Sequence, residues 1–205
     1  MEITKPALFS ATHRAQGNSN KAMDLFAHGI QEAGGDAELF YLRNFKIKPC
    51  TACRLCEMGR KPRHLPTKCP LSNKDFAHEL FQQLLYAPFV FFASPIYFYH
   101  LPSIFKTWID RGQEYWAYKK NGDEIMQGIK PRPAYVCLMA GRDKGDRLFE
   151  GALLTLKYFL DSFELTITDP LTLRGVERLG DLEKSEGAQQ LVELGKSAWK
   201  QSQDG

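Results

Sequence analysis

The sequence contains no apolar run that approaches the length of a membrane-spanning helix, which requires about 20 residues. The N-terminus also lacks the basic start and the small-residue cleavage site of a signal peptide. We therefore expect a cytoplasmic protein with no membrane partner. The sequence also has little excess of either charge, because 27 Lys and Arg residues and 24 Asp and Glu residues give a formal net charge of +3. This mild, scattered charge argues against a nucleic-acid partner.

The chain shows no internal repeat and no low-complexity segment. Its 205 residues are enough for one domain with a sizeable core, whereas a second full domain would be difficult to accommodate. We therefore expect a single domain over residues 1–205.

Short apolar runs alternate with amphipathic helical patterns along the chain. The runs lie at residues 7–9, 37–42, 88–93, 134–139 and 165–168, and the helical patterns at 18–33, 73–87, 103–118, 145–163 and 181–201. This alternation predicts a doubly wound α/β fold, with a five-stranded parallel sheet covered by helices on both faces. A ligand of such a sheet binds beyond the carboxyl ends of the strands, near the point where strand order reverses. The segment 43–72 interrupts the alternation, and we interpret it as a functional Cys-rich insertion after the second strand.

The loop Thr12–Ser19 lies between the first apolar run and the first helical pattern. A polar, Gly-containing loop at this position directs backbone N–H groups and the positive end of a helix to one place, which favours a phosphate. The loop matches neither G-x-G-x-x-G nor G-x-x-x-x-G-K-[ST], the commonest nucleotide fingerprints. An ordinary helix start capped by Asn18 or Ser19 is the alternative.

Four of the five cysteines fall within one short segment. In a chain without a secretion signal, this crowding indicates metal or redox chemistry rather than a disulfide framework. Cys50, Cys53 and Cys56 are spaced C-x2-C-x2-C, and Cys69 follows after twelve residues. This spacing lets one loop hold three corners of a [4Fe-4S] cluster while the distant cysteine holds the fourth. Zinc, which more often uses two separated pairs, and cysteines with only redox or packing roles remain alternatives.

The stretch between the third and fourth of these cysteines is locally basic. It contains Arg60, Lys61, Arg63, His64 and Lys68. The segment is either a solvated loop or a docking patch for an acidic electron-transfer partner or a phosphorylated dinucleotide.

Two further loops are predicted at the same edge of the sheet as Thr12–Ser19. The third apolar run continues into Ser94–His100, where a proline turn and several aromatic residues form a plausible wall for a flat aromatic ligand. Aromatic residues at such a position are also common in cores. The fourth run, in which we expect Cys137 to be a core residue, is followed by the polar, Gly-bearing loop Ala140–Gly145. Three loops therefore converge at one edge.

Taken together, these motifs resemble the flavodoxin-like NADPH-dependent FMN reductase superfamily. Thr12–Ser19 is similar to its S-P-R-x-x-G-N-S phosphate loop, with Thr12 and His13 in place of Ser and Pro. Its S-P-x-Y motif, followed by a helix with x-K-x-x-x-D-R, is matched by Ser94–Tyr97 and Lys106–Arg111. The cysteine run and the tail Gly175–Asp181 resemble the iron-sulfur flavoprotein branch, although the gap before Cys69 is longer than is usual there.

The resemblance implies an FMN cofactor held by the three loops. The residues expected to bind the phosphate are Ser10, Thr12, Arg14, Gly17, Asn18 and Ser19. The residues expected to contact the ring are Ser94, Pro95, Ile96, Tyr97 and Phe98 on one side, and Ala140, Gly141, Arg142 and Gly145 on the other. The flavin itself carries the chemistry, so no catalytic side chain is expected.

The iron-sulfur branch further implies that Cys50, Cys53, Cys56 and Cys69 hold a [4Fe-4S] cluster. Such a protein would be an electron-transfer flavoprotein that exchanges single electrons with a ferredoxin-like donor. Without a cluster, we expect an NAD(P)H-dependent FMN or quinone reductase with a small-molecule or protein electron acceptor. A zinc-stabilised interaction domain on the same fold is the non-enzymatic alternative.

The resemblance also implies a homodimer or a homotetramer. Tyr115, Trp116 and Tyr118 form an aromatic end to the third helical pattern. Such residues either complete the core of a subunit or anchor an interface. We expect the interface.

Overall fold

The computed structural model describes residues 4–59, 61 and 63–204, and its five strands form one all-parallel sheet. The strands are β1 (Ala7–Ser10), β2 (Glu38–Tyr41), β3 (Val90–Pro95), β4 (Arg132–Ala140) and β5 (Leu165–Arg174). Their order across the sheet is β2-β1-β3-β4-β5. This is the flavodoxin-like order, and it confirms the predicted fold class. The order reverses at β1 and β3, where sheets of this kind bind their ligands.

Among the described residues, six α-helices cover the two faces of the sheet. They are α1 (Asn18–Glu32), α2 (Ala77–Tyr86), α3 (Ser103–Arg111), α4 (Gln113–Lys120), α5 (Glu150–Asp161) and α6 (Gly187–Gln203). Short 3-10 helices cover Leu42–Asn44 and Glu124–Met126. Helices α1 and α6 pack on one face, and α2 to α5 pack on the other. Over the residues that the structure describes, no helix combines the length and the apolar character needed to cross a membrane.

The buried strands supply side chains to both faces in alternation. Phe9 and Phe92 point to the α2–α5 face, where their rings stack with centroids 5.0 Å apart. Phe91 points to the opposite face and stacks on Phe26 of α1 at 4.1 Å. This two-sided burial explains why the strands read as near-continuous apolar runs.

The helix boundaries differ from the predicted ones for local reasons. The pattern at 103–118 is divided at Gly112, where a Cβ atom would lie 2.8 Å from the ring of Phe159. Helices α2 and α6 begin later than predicted because Asp75 and Asp181 use their carboxylates to hold turns. Asp75 accepts the backbone N–H of Ala77, and Asp181 accepts N–H groups from the turn before α6.

The expected interface role of the aromatic residues at the end of the third helical pattern is wrong for two of the three. Tyr115 and Tyr118 are buried in the core of the chain itself, and Tyr115 packs on Phe81 and Phe163. Trp116 is exposed. The chain divides into α3 and α4 at Gly112, and Tyr115 and Tyr118 lie on the buried side of α4, which the helical pattern alone did not reveal. The expected homo-oligomer remains a prediction.

Candidate functional site

The carboxyl ends of β1, β3, β4 and β5 open into one cleft with a volume of about 810 Å³. Small-molecule sites occupy about 300–1,000 Å³, so the cleft is large enough for a cofactor. The predicted site residues that line it are Thr12, Arg14, Gly17, Asn18, Ser19, Pro95, Ile96, Tyr97, Phe98, Gly141 and Arg142. The three predicted loops therefore meet around one space.

The first loop presents the N-terminus of α1 to this cleft. Gly17 is the N-cap residue, no side chain caps the helix, and no acidic residue lies in its first turn. The uncapped N–H groups and the positive end of the helix favour an anion here. In the described part of the chain, the Oδ1 atom of Asn18 is buried without a hydrogen-bond partner, so a ligand that donates to it would satisfy an otherwise unpaired acceptor.

Asn20, which sequence reasoning missed, holds the first loop in shape. Its Oδ1 accepts the hydroxyl of Ser10 at 2.6 Å and the guanidinium of Arg43 at 3.2 Å. Its Nδ2 donates to the carbonyl oxygens of Ala15 at 2.7 Å and Arg14 at 3.4 Å. One buried side chain therefore ties the loop to β1 and to the segment after β2.

The turn Tyr97–His100 forms the outer wall of the cleft. The two end residues exchange both backbone hydrogen bonds, at 2.9 and 3.0 Å. The central residues, Phe98 and Tyr99, have φ angles of 49° and 63°, which L-residues with large side chains rarely adopt. Backbone strain of this kind concentrates at functional sites. It leaves the Phe98 side chain fully exposed at the mouth of the cleft, while the Tyr99 hydroxyl accepts from Arg142 at 3.2 Å.

A second pocket, of about 250 Å³, is lined by all four clustered cysteines together with Arg111 and Glu114. Cys50, Cys53, Cys56 and Cys69 are all free thiols. Within residues 4–59, 61 and 63–204, no three His, Cys, Asp or Glu side chains are gathered closely enough to hold a metal ion. The pocket therefore brings the four sulfurs to one place without arranging them around a single centre.

Buried charges lie beneath this pocket. The carboxylate of Glu114 accepts the backbone N–H of Cys69 at 2.7 Å, and Arg111 donates to the sulfur of the same cysteine at 3.6 Å. Burial, followed by the nearby Glu114 carboxylate, raises the pKa of Cys56 above its ordinary value. Cys137 lies in the core, as predicted, and burial raises its pKa to about 12.

A family model described as NADPH-dependent FMN reductase matches residues 4–161. This span includes the first loop, the cysteine segment and the loops after β3 and β4. The chain belongs to the NADPH-dependent FMN reductase family. The predicted family resemblance is thereby confirmed.

Three further proteins are similar to this chain. An iron-sulfur flavoprotein of Archaeoglobus fulgidus is 28% identical over 102 residues, which are 47% of this chain and 46% of the relative. A solved flavone reductase has a TM-score of 0.67 at 15% identity and covers 98% of this chain, with 64% of its own length matched. The NAD(P)H:quinone oxidoreductase of Methanothermobacter marburgensis has a TM-score of 0.62 at 18% identity, with 96% and 97% covered. The matches span less than two thirds of the first two relatives, and at these identities the two solved structures show the fold alone.

Four of the residues that were predicted to bind the cofactor do not line the cleft. Ser10 and Ser94 are completely buried, and their hydroxyls donate to Asn20 Oδ1 and to the carbonyl of Pro95. Ala140 points into the core, and Gly145 faces the Tyr99 hydroxyl. Their strand and loop positions were predicted correctly, but the direction of each residue takes it away from the cleft surface.

The structure adds lining residues that the sequence reasoning missed. They are Leu101, Pro102, Ser103 and Lys106 at the start of α3, Met139 of β4, and Val176 and Glu177 after β5. The segment after β5 reaches the first loop, because Asn18 Nδ2 donates to the carbonyl of Arg178 at 3.0 Å. Gly141 allows this approach, since a Cβ atom there would lie 2.9 Å from Glu177. In the sequence, Lys106 belongs to the x-K-x-x-x-D-R match, and Val176 and Glu177 belong to the tail Gly175–Asp181, but neither motif was assigned to the cofactor.

Contacts within the chain occupy part of the basic segment between Cys56 and Cys69. Lys68 is buried, pairs with Asp123 at 2.7 Å and lies over the ring of Tyr118. Lys61 lies 3.9 Å from the same carboxylate, and Arg60 is outside the described residues. Lys68 is therefore unavailable for docking an acidic partner.

Proposed function

We propose that this chain is an FMN-dependent oxidoreductase that transfers electrons between its flavin and a [4Fe-4S] cluster held by Cys50, Cys53, Cys56 and Cys69. The observation that carries the proposal is the convergence of all four cysteines on one pocket, although twelve residues separate the last two. The similarity to an iron-sulfur flavoprotein supports the same function.

The cleft suits FMN by charge as well as by size. Arg14, Lys106 and Arg142 face a single carboxylate, that of Glu177, among its lining residues. The phosphate fits the uncapped N-terminus of α1 beside Arg14, and the ring fits the wall at Pro95–Phe98. When bound, FMN accepts a hydride or single electrons. The residues of this chain bind and orient it and exclude water from its ring.

Helix α3 lies between the two proposed cofactor sites. Lys106 lines the cleft, and Arg111 lines the cysteine pocket. These residues are five positions apart, which corresponds to about 7.5 Å along a helix axis. Because one helix lines both sites, the two proposed cofactors would be neighbours, as transfer of single electrons between them requires.

The spacing of the cysteines along the chain favours a cluster over zinc. A single Zn²⁺ binds thiolates at about 2.3 Å, so its four sulfurs must lie within roughly 4 Å of one another. In a cubane, each thiolate binds a separate iron, so the sulfurs are spread around the cluster. Three cysteines at C-x2-C-x2-C spacing with a distant fourth match the second pattern, whereas zinc more often uses two separated pairs.

The electron balance defines the partners. Two reduced ferredoxin-like carriers supply one electron each, or one NAD(P)H supplies two electrons and a proton as hydride. A two-electron acceptor such as a quinone then takes two electrons and two protons, and solvent provides the protons that the donor does not. The proposal includes assembly as a homodimer or a homotetramer, which light scattering of the purified protein tests.

Anaerobic purification with metal, sulfide and flavin analysis tests the proposal. We expect about four iron and four sulfide per chain, together with one FMN. Cys69→Ser should lower the iron content, while the matched control Cys137→Ala should not, because Cys137 is buried outside the pocket. Background iron in wild-type protein that carries FMN would refute the cluster.

A cluster-free NAD(P)H-dependent quinone reductase is the second candidate. The fold similarity to an NAD(P)H:quinone oxidoreductase favours it, as does the absence of a gathered metal-ligand group from the described residues. The test removes iron from the protein, loads it with FMN, and measures NADPH oxidation with a quinone as acceptor. A rate equal to that of untreated protein would establish this candidate.

A further inference from the structure

Arg111 forms a buried ion pair that stability alone does not explain. Its side chain and that of Asp75 are 2% and 1% exposed, and they are in direct contact. Removing two charges from water costs several kcal/mol per ion, so a buried pair is often no more stabilising than apolar residues of the same volume. A buried guanidinium at this position therefore needs another reason.

The remaining contacts of Arg111 lead to the cysteine pocket. One terminal nitrogen donates to the carbonyl of Lys48 at 3.1 Å, and the other donates to the sulfur of Cys69 at 3.6 Å. In the part of the chain that the structure describes, no other side chain donates a hydrogen bond to any of the four clustered cysteines. The contact with Lys48 ties the segment just before Cys50 to the same guanidinium.

Cys69 is held from a second direction by the start of α4. The carboxylate of Glu114 accepts the backbone N–H of Cys69 at 2.7 Å and the hydroxyl of Tyr118 at 2.8 Å. Glu114 is itself buried, so both groups are fixed. Together, Arg111 and Glu114 fasten one cysteine, by its sulfur and by its backbone, to the corner between α3 and α4.

We propose that Arg111 is a positioning residue for Cys69, which places this thiolate as the fourth cluster ligand and sets a positive charge beside it. The inference rests on the proposed function. It explains how Cys69, which twelve residues separate from Cys56, returns to the same pocket, because the fixed guanidinium holds its sulfur there while Glu114 holds its backbone.

Arg111 has a predictable effect on the cluster. Arginine stays protonated in proteins, and hydrogen bonds and net charge near the sulfurs tune the reduction potential of a cluster. Reduction adds negative charge, which the guanidinium stabilises. Loss of the guanidinium therefore lowers the reduction potential and weakens retention of iron. Outer partners of metal ligands contribute roughly 10–100-fold to metal affinity.

Three variants test the inference in protein purified without oxygen. Arg111→Met removes the charge and the hydrogen bond, and Arg111→Lys keeps the charge but loses the planar fork. The double variant, Asp75→Asn with Arg111→Met, removes both buried charges, so no buried carboxylate is left without its partner. Arg54→Met is the matched control, because Arg54 lines the same pocket but is 76% exposed and pairs with Glu57.

We measure the iron lost to a chelator, the midpoint potential and the FMN content. Arg111→Met should lose iron about 10–100-fold faster and have a lower potential. Arg111→Lys should keep most of the potential, and the double variant should still lose iron quickly while it retains FMN. Arg54→Met should shift the potential less than Arg111→Met, because water screens its charge.

Two results overturn the inference in different ways. If wild-type protein holds a cluster, and Arg111→Met retains iron and potential as the wild type does, Arg111 does not position Cys69. If wild-type protein holds FMN but no iron, the proposed function fails and the inference fails with it. A loss of both iron and FMN from the double variant, with loss of the folded circular dichroism spectrum, would identify Arg111 as a general structural residue and would also refute the inference.

Discussion

Asn20→Ala should weaken FMN binding although Asn20 does not line the cleft. The substitution removes four hydrogen bonds, of 2.6, 2.7, 3.2 and 3.4 Å, that fix the first loop. At a net contribution of about 1 kcal/mol for a good bond, and less for the two longer ones, the loss of folding free energy is about 2–3 kcal/mol. If about 2 kcal/mol of this appears as the cost of ordering the loop on binding, the Kd for FMN rises roughly 30-fold.

Fluorescence titration of flavin-free protein with FMN measures the change, and urea unfolding measures stability. Ser10→Ala is the matched control, because it removes one of the four bonds and leaves the two bonds to the loop carbonyls in place. It should reduce stability by about 1 kcal/mol and barely change the Kd. If Asn20→Ala lowers stability but leaves the Kd as it is in Ser10→Ala, the shape of the phosphate loop does not depend on Asn20.

Three further substitutions test the packing around the site. Gly141→Ala places a Cβ atom 2.9 Å from Glu177, so it should push the segment after β5 outward and raise the Kd for FMN in the same titration. Gly29→Ala places a Cβ atom 2.0 Å from the carbonyl of Val192, so it should lower the free energy of unfolding by about 1–3 kcal/mol while leaving FMN affinity unchanged in folded protein. Asp181→Asn should reduce the acid sensitivity of FMN binding. The backbone N–H groups of Glu177 and Arg178 lower the pKa of Asp181 below 3.8, so the carboxylate holds its turn fully above that pH and releases it as the pH falls further. Titrations at pH 7 and below pH 3.8 measure this difference, and an equal loss of FMN from both proteins in acid would contradict it.

The fold followed from the sequence because burial and connectivity left few choices. Strands buried on both faces read as apolar runs, and each is followed by a helix, so a parallel sheet with helices on both faces was the consistent solution. The loops after β1, β3 and β4 were then placed at one edge by topology. This is why eleven of the predicted cofactor residues line one cleft.

The parts that the sequence did not predict depend on side-chain direction and long-range packing. Ser10 and Ser94 have hydroxyls at strand ends, yet both point inward to protein acceptors. Asn20 looks like a polar residue on a helix surface, and only the fold reveals that Ser10 and Arg43 converge on it. Glu177 reaches the cleft only because Gly141 lets two distant loops touch.

The two ends of the cysteine-rich insertion are held by hydrogen bonds and an ion pair within the chain. Lys48 contributes its N–H to Asp75 and its carbonyl to Arg111, so the beginning of the insertion is fixed to α3. Lys68 and Cys69 are fixed at the end of the insertion, by Asp123 and Glu114. Between these anchors lies the turn that carries the C-x2-C-x2-C run, with two residues in the left-handed region. The proposed cluster would therefore bind an insertion whose two ends are already held, at Lys48 and at Lys68 and Cys69. Helix α3 also lines the cleft through Lys106, so one helix joins the proposed flavin site to the cysteine pocket.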